Sequence, residues 1–253
     1  MANCNPTKLP LPLGLTFHQE DEPLTPPTPE QITKFRGKIG SLIYAKKHTR
    51  PDIAHALGVL AKHMGNIGTA HIKALNQLFR YLKGTLDHGL CYVKRKKLEI
   101  KGYCDASWNS YSMTGKSVTG WVTSVGGTAL SWKSQKQSTV AQSTAEAEYI
   151  AACSVSKECC YLKSLLHELK LPNEITVYSD STAALSMIQN PVQRQKAKHF
   201  NVVYHWVREC HRTGRLKYMY LAGANQPADM FTKALPQVLL DRHGKSIGFG
   251  RIH

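Results

Sequence analysis

Between Ala141 and Leu169 one residue pattern limits the fold more than any other. Counting from Glu148, the residues at three- and four-step intervals are Ala151, Ala152, Val155, Cys159, Leu162, Leu166 and Leu169. That period belongs to an α-helix, and a helix with a continuous apolar stripe needs a second layer to cover it. The preceding chain offers that layer. Leu98 to Asp105 alternates, Gly115 to Val125 is β-branched and glycine-flanked, and Thr128 to Trp132 follows Gly126-Gly127. Three such segments with glycine-bearing turns predict an antiparallel meander. After the helix come a strand (Ile175 to Asp180), a short helix (Thr182 to Gln189), another helix (Ala197 to Arg212), a strand (Leu216 to Leu221) and a helix from Pro227. The order predicts an α/β fold, a mixed sheet with helices packed on it.

The chain before residue 98 is different in kind. Residues 1–30 hold seven of the twelve prolines, which predicts an extended lead. A helix is expected after Thr28-Pro29-Glu30, with Ile32, Phe35, Ile39, Leu42 and Ile43 at helical spacing. A second starts at Pro51 with Ile53, Leu57 and Leu60 on its apolar side, and a third carries Ile72, Leu75, Leu78, Phe79 and Leu82. Lys73, Arg80 and Lys83 project from the third. Gly89 to Val93 reads as a short strand, and the basic run Lys94-Arg95-Lys96-Lys97 marks a boundary, as a solvated turn, a phosphate contact or a nuclear signal. The expected organisation is a lead (1–30), a helical segment (31–93), an α/β domain (98–240) and a tail (241–253) to which no role can be assigned.

Four acids carry the chemistry. Asp105 stands in Tyr-Cys-Asp-Ala-Ser at a strand end, and Asp180 in Tyr-Ser-Asp-Ser-Thr at another. Asp229 stands in Asn-Gln-Pro-Ala-Asp-Met at a helix start, and Glu148 heads the buried stripe of the long helix. Each aspartate has a structural alternative: an Asx turn, an N-cap, or a first-turn acid favoured by the helix dipole. A carboxylate on a core-facing stripe is costly unless something pairs with it, which a metal would do. Glu146, on a mixed face with Tyr149, Ile150 and Lys157, reads as an N-terminal helix residue instead. Cutting a phosphodiester needs an activated water and a stabilised leaving oxygen. Two divalent ions about 3.5 to 4 Å apart can supply both. Hard oxygen ligands select magnesium, with manganese as the alternative, over zinc.

Around these acids the chain is strongly basic, with 33 Lys and Arg against 17 Asp and Glu and a formal net charge of +16. That excess points to a nucleic-acid partner before a membrane surface. No run of about 18 apolar residues and no secretory leader is visible, so no membrane partner is expected. Seven cysteines in no paired spacing read as reduced thiols of an intracellular protein.

Several segments together resemble a known family. They are Thr49-Arg50-Pro51-Asp52-Ile53-Ala54, Arg80-Tyr81-Leu82-Lys83-Gly84-Thr85, Ser131-Trp132-Lys133-Ser134, Gln137-Ser138-Thr139-Val140-Ala141 and Ser143 to Ala151. Lys198-His199, Tyr204-His205, Ala228-Asp229 and Thr232-Lys233-Ala234-Leu235-Pro236 complete the set. In order and spacing they resemble the C-terminal part of a copia-type LTR-retrotransposon Pol polyprotein, over nearly the whole chain from about 7 to 240. The resemblance implies a ribonuclease H-like five-stranded mixed sheet at 98–240, which cleaves the RNA strand of RNA/DNA hybrids to 3′-hydroxyl and 5′-phosphate ends. It implies Asp105, Glu148, Asp180 and Asp229 as the catalytic, metal-holding set for two ions. Residues 7–92 look like the end of the reverse transcriptase, its thumb or connection. No polymerase motif of the Tyr-x-Asp-Asp type is present, so no polymerisation is expected. The missing palm and other Pol parts are implied partners, and the cytoplasmic virus-like particle the implied location, with the nucleus as the alternative.

One departure stands out. Cellular and retroviral ribonucleases H carry a histidine in the loop before the last aspartate, whereas Leu221 to Gln226 here has none. His199 and His205 on the preceding helix read as structural or as phosphate contacts. Asn109, Lys116, Lys133, Lys136, Lys198 and Arg208 are the expected hybrid contacts beside Lys73, Arg80 and Lys83, through shape and 2′-hydroxyls rather than sequence. The competing reading is a non-catalytic nucleic-acid-binding remnant, or domesticated fragment, of such a Pol.

Overall fold

The computed structural model describes residues 4–15, 17, 26–94, 98–111, 114–190 and 202–252. In chain order the elements are α1 (Pro29–His48), α2 (Ala54–Ala61), α3 (Thr69–Gly84), β1 (His88–Leu90), β2 (Ile100–Tyr111), β3 (Lys116–Val125) and β4 (Thr128–Lys136). Then follow α4 (Thr144–Glu168), β5 (Ile175–Ser179), α5 (Thr182–Gln189), α6 (Val202–Arg212), β6 (Lys217–Tyr220), α7 (Gln237–Ser246) and β7 (Phe249–Arg251). The chain forms two units. One comprises Met1–Cys91, Lys233–Lys245 and Phe249–His253, and the other Tyr92–Thr232 with Ser246–Gly248. No helix among the described residues is long and apolar enough to cross a membrane.

In the first unit α1 begins where the sequence placed it. The Thr28 hydroxyl accepts from the Gln31 N–H, and the Gln31 side chain accepts from the Thr28 N–H, a reciprocal cap. Phe35, Ile39 and Leu42 then meet Ile53, Leu57 and Leu60, and Leu75, Leu78 and Tyr81 of α3 close the core. The buried face of α3 is rotated from the predicted stripe. Ile72 is exposed and Phe79 and Leu82 lie at the flank, while His71 and Tyr81 are buried. Both buried residues carry polar atoms with partners, which an apolar count overlooks: the His71 ring accepts from the Gly68 N–H, and the Tyr81 hydroxyl donates to Asp52.

Residues 4–11 run without regular secondary structure along α3. Arg80 donates to the Asn5 carbonyl, Lys83 to the Cys4 carbonyl and Gln77 to the Leu9 carbonyl, and Leu11 enters the core. The tail belongs here too. β7 pairs antiparallel with β1, His88 opposite Arg251 and Leu90 opposite Phe249. The boundary expected at 240 falls inside α7, which runs from Gln237 to Ser246. The expected strand at 89–93 is only the short β1. Of the basic run, Arg95 to Lys97 lie outside the described residues.

The second unit builds the expected mixed five-stranded sheet with flanking helices, in the order β4-β3-β2-β5-β6. β2, β3 and β4 form the antiparallel meander, and β5 and β6 add to it in parallel with β2. α4 lays Ala151, Ala152, Val155, Cys159, Leu162 and Leu166 into the core. Gly102 of β2 permits that approach: a Cβ there would stand 2.8 Å from the Cys159 sulfur. α4 starts at Thr144, later than expected, because the Ser143 hydroxyl accepts from the Glu146 N–H and so fixes the cap. The segment after Pro227 is a single 3-10 turn, Pro227–Phe231, rather than an α-helix.

Candidate metal centre

The parallel ladder between β2 and β5 places two aspartates side by side. Its last pair is Tyr103 opposite Tyr178, whose rings stack at 5.4 Å. Two residues further on, on the same face, come Asp105 and Asp180. β2 itself continues to Tyr111, so Asp105 is mid-strand, opposite Gly120 of β3, and not in an Asx turn. Asp180 lies just beyond β5, and it is Ser181 that caps α5 by accepting from the Ala184 N–H at 3.1 Å. The N-cap alternative for Asp180 is thereby removed.

Asp229 arrives from the far end of the chain on the turn Pro227–Phe231. Gln226 holds that turn to β2: its side-chain amide donates to the Cys104 carbonyl at 3.1 Å and its oxygen accepts from the Ala228 N–H at 3.4 Å. Close approach requires Gly120, where a Cβ would stand 2.6 Å from Thr232 Cγ2 and 2.8 Å from Phe231 Cβ. The Thr232 hydroxyl in turn donates to the Asp105 carboxylate. Gly223 serves similarly beside Asp180, since a Cβ there would lie 3.1 Å from Asp180 Oδ2.

One carboxylate oxygen each from Asp105, Asp180 and Asp229 lies within 4.8 Å of the other two, with Asp105 and Asp229 buried and Asp180 half-buried. Glu148 is buried as the helix pattern predicted. It stands beside this group rather than in it: its Oε1 accepts from the N–H of Ala106, the residue after Asp105, at 3.2 Å. Glu146 keeps to the helix start, accepting from the Gln142 N–H at 2.7 Å. The concentration of negative charge registers on a neighbour. Burial first, and then the Glu148, Asp105 and Asp180 carboxylates, push the Cys104 thiol well above its ordinary range. Three carboxylates this close repel one another unless a cation or protons intervene, and an all-oxygen donor set suits a hard divalent ion. The residues fit such a group.

Gln226, Thr232 and Gly120 were not singled out from the sequence as site residues. A glycine inside a β-branched strand is a recognised sign of close backbone approach, so Gly120 was readable. Gln226 and Thr232 lie close to Asp229 in sequence, and Thr232 opens the segment Thr232-Lys233-Ala234-Leu235-Pro236, but neither residue type marks a metal ligand.

The expected nucleic-acid contacts divide. Lys133 and Lys136 line a groove of about 550 Å³ between β4 and α4, with Lys157 on its far wall. Asn109 is exposed where the β2–β3 register shifts, at φ +50°, with its N–H on the Ser117 hydroxyl. Lys116 donates to the Ser138 carbonyl, and Arg208 to the Met187 carbonyl near the end of α5. In the first unit Lys73 is exposed, while Arg80 and Lys83 hold residues 4 and 5 as described. Lys198 and His199 lie outside the described residues, and His205 is exposed on α6.

No protein-family model matches the chain. Among curated proteins it is 39% identical over 240 residues to the retrovirus-related Pol polyprotein from transposon TNT 1-94 of Nicotiana tabacum, covering 94% of this chain and 18% of that one. It is 34% identical over 222 residues to the Pol polyprotein from transposon RE1 of Arabidopsis thaliana, covering 87% of this chain and 15% of the relative. The chain thus spans less than a fifth of the length of these relatives. Among solved structures it is similar to the N-terminal RNase H domain of rv2228c from Mycobacterium tuberculosis, at 15% identity and a TM-score of 0.37 over 59% of this chain and 99% of that one. The RNase H1 LC11, solved with an RNA/DNA hybrid, matches at 18% identity and a TM-score of 0.38, over 53% of this chain and 94% of that one.

Proposed function

Because the chain belongs to the family of retrovirus-related Pol polyproteins of copia-type transposons, we propose that its ribonuclease H-like second unit is a metal-dependent endoribonuclease acting on RNA/DNA hybrids. One observation carries this reading. Three aspartates from a mid-strand position, a strand end and a distant turn converge within 4.8 Å, in a chain whose net charge is +16. Gathering three acids at one point costs repulsion, and a bound cation would offset it, in a chain that has 17 acids against 33 bases.

Asp105, Asp180 and Asp229 would hold the ions, with Glu148 beside them. Once bound, two magnesium or manganese ions would supply an activated water and neutralise the charge that gathers on the phosphodiester. The chain's own residues do the rest. Asp105 is held mid-strand by the sheet, and Asp180 leaves β5 two residues after its last ladder partner to β2, Tyr178, so the β2–β5 pairing brings the two acids together. Lys133, Lys136 and Lys157 offer cations along the groove beside α4, where a polyanionic backbone would lie. The first unit fits a thumb- or connection-like holder of duplex, with Lys73 exposed while Arg80 and Lys83 are engaged with backbone carbonyls.

The test is the pair Asp105→Asn and Asp180→Asn. Each should lower hybrid cleavage at least about a hundredfold while hybrid affinity stays within a few-fold of the parent chain. Cleavage at parental rates by both variants would refute the assignment. Retained binding with no cleavage by the parent chain under any metal would favour the non-catalytic reading instead.

A further inference from the structure

We propose that Thr232 is a positioning residue of the metal centre, setting Asp105 from the same turn that delivers Asp229. This rests on the metal reading above and adds a residue to it. The Thr232 hydroxyl donates to Asp105 Oδ2, and the same oxygen lies 3.1 Å from the Asp229 carbonyl. One hydroxyl has one proton, and an ionised carboxylate is the stronger acceptor, so the donated bond goes to Asp105. Thr232 is 2% exposed, and its N–H is spent on the Asp229 carbonyl. Its methyl is seated over Gly120, the residue facing Asp105 across the β2–β3 ladder.

The hydroxyl therefore reaches from the segment that carries Asp229 to the carboxylate of Asp105 itself, where the Gln226 amide reaches only the backbone of β2 at Cys104; the two acids lie 124 positions apart by number (229 − 105). A carboxylate rotates freely about its terminal bond unless a donor fixes it. On strand β2, the Asp105 backbone is held by the sheet but its carboxylate plane is not. Thr232 supplies that constraint without adding charge. Any slip of the turn Pro227–Phe231 along the sheet moves Asp229 and releases Asp105 together, so the two ligands are set as one.

The experiment uses the full chain with Thr232→Val, which keeps the β-branch and loses the hydroxyl, and Thr232→Ser, which restores it. Manganese affinity is measured by calorimetry without nucleic acid, alongside the metal-free melting temperature and the metal dependence of hybrid cleavage. Thr232→Val should weaken manganese binding about tenfold or more, raise the metal concentration needed for half-maximal cleavage more than it lowers kcat, and melt close to the parent. Thr232→Ser should recover the affinity to within a few-fold. Should Thr232→Val fail to fold, Thr232→Ser against Thr232→Ala carries the comparison. Parental affinity in Thr232→Val, or equal loss in the valine and serine variants, overturns the positioning role alone. A parent chain that binds no manganese overturns the metal reading, and this inference with it.

Discussion

Arg50 is buried at 7% exposure, where a guanidinium must find partners for its N–H groups. It finds them in residues that the sequence marks as two separate motifs. Its Nε and Nη2 grip both Asp52 oxygens, and Nη1 and Nη2 donate to the Thr85 carbonyl and hydroxyl. The Tyr81 hydroxyl donates to Asp52 at 2.6 Å, and burial followed by the Asp52 charge raises that phenol far above its ordinary range. The segments 49–54 and 80–85 thus form one network. Within the second, Arg80 and Lys83 hold the N-terminal segment, and Gly84 leaves room for it, since a Cβ there would lie 3.0 Å from Pro6 Cβ. From sequence Arg80 and Lys83 are expected hybrid contacts, and a basic residue on a helix does not reveal that a backbone carbonyl also lies within its reach. Removing one partner of a buried pair leaves the other uncompensated. Asp52→Ala should therefore cost the first unit about 3 to 5 kcal/mol, read as a shift of the urea midpoint. A loss below about 1 kcal/mol would mean that water reaches the guanidinium.

At the scale of elements, legibility followed the strength of the pattern. α4 was readable because its stripe runs over several turns, and because Glu148 sits at the head of that stripe the acid could be chosen over Glu146. The meander was readable from its glycine turns. The turn at Pro227 carried a proline start and nothing to separate 3-10 from α-helix. The tail was unreadable: β7 has three residues, and a strand that short shows no alternation. α7 brings a titratable group into the first unit. His243 is 2% exposed, and burial, then Arg242 and Lys233, lower its pKa from the ordinary value. The folded chain therefore keeps this imidazole neutral while the unfolded chain protonates it. Its contribution to stability is present above about pH 6.5 and is lost as pH falls below that value. Melting at pH 7.5 and pH 5.5 should show a smaller acid-induced drop for His243→Gln than for the parent. An equal drop in both would place the acid sensitivity elsewhere.

For the whole molecule, charge and site work together. A net charge of +16 attracts a polyanion without choosing a strand, and the clustered aspartates would choose where it is cut. If Lys133 and Lys136 meet phosphates, replacing both with glutamine should lower the salt dependence of hybrid binding, the slope of log K against log salt, by about one unit per lysine. An unchanged slope would remove the groove from the interface. The central claim is strand-selective, metal-dependent cleavage. It is tested most directly by incubating the full chain with an end-labelled RNA/DNA hybrid in magnesium, in manganese and in EDTA, with duplex RNA and duplex DNA alongside. The expected result is loss of the hybrid's RNA strand alone, with either metal and not with EDTA. Intact RNA under both metals, or equal cleavage of all three duplexes, would contradict the account.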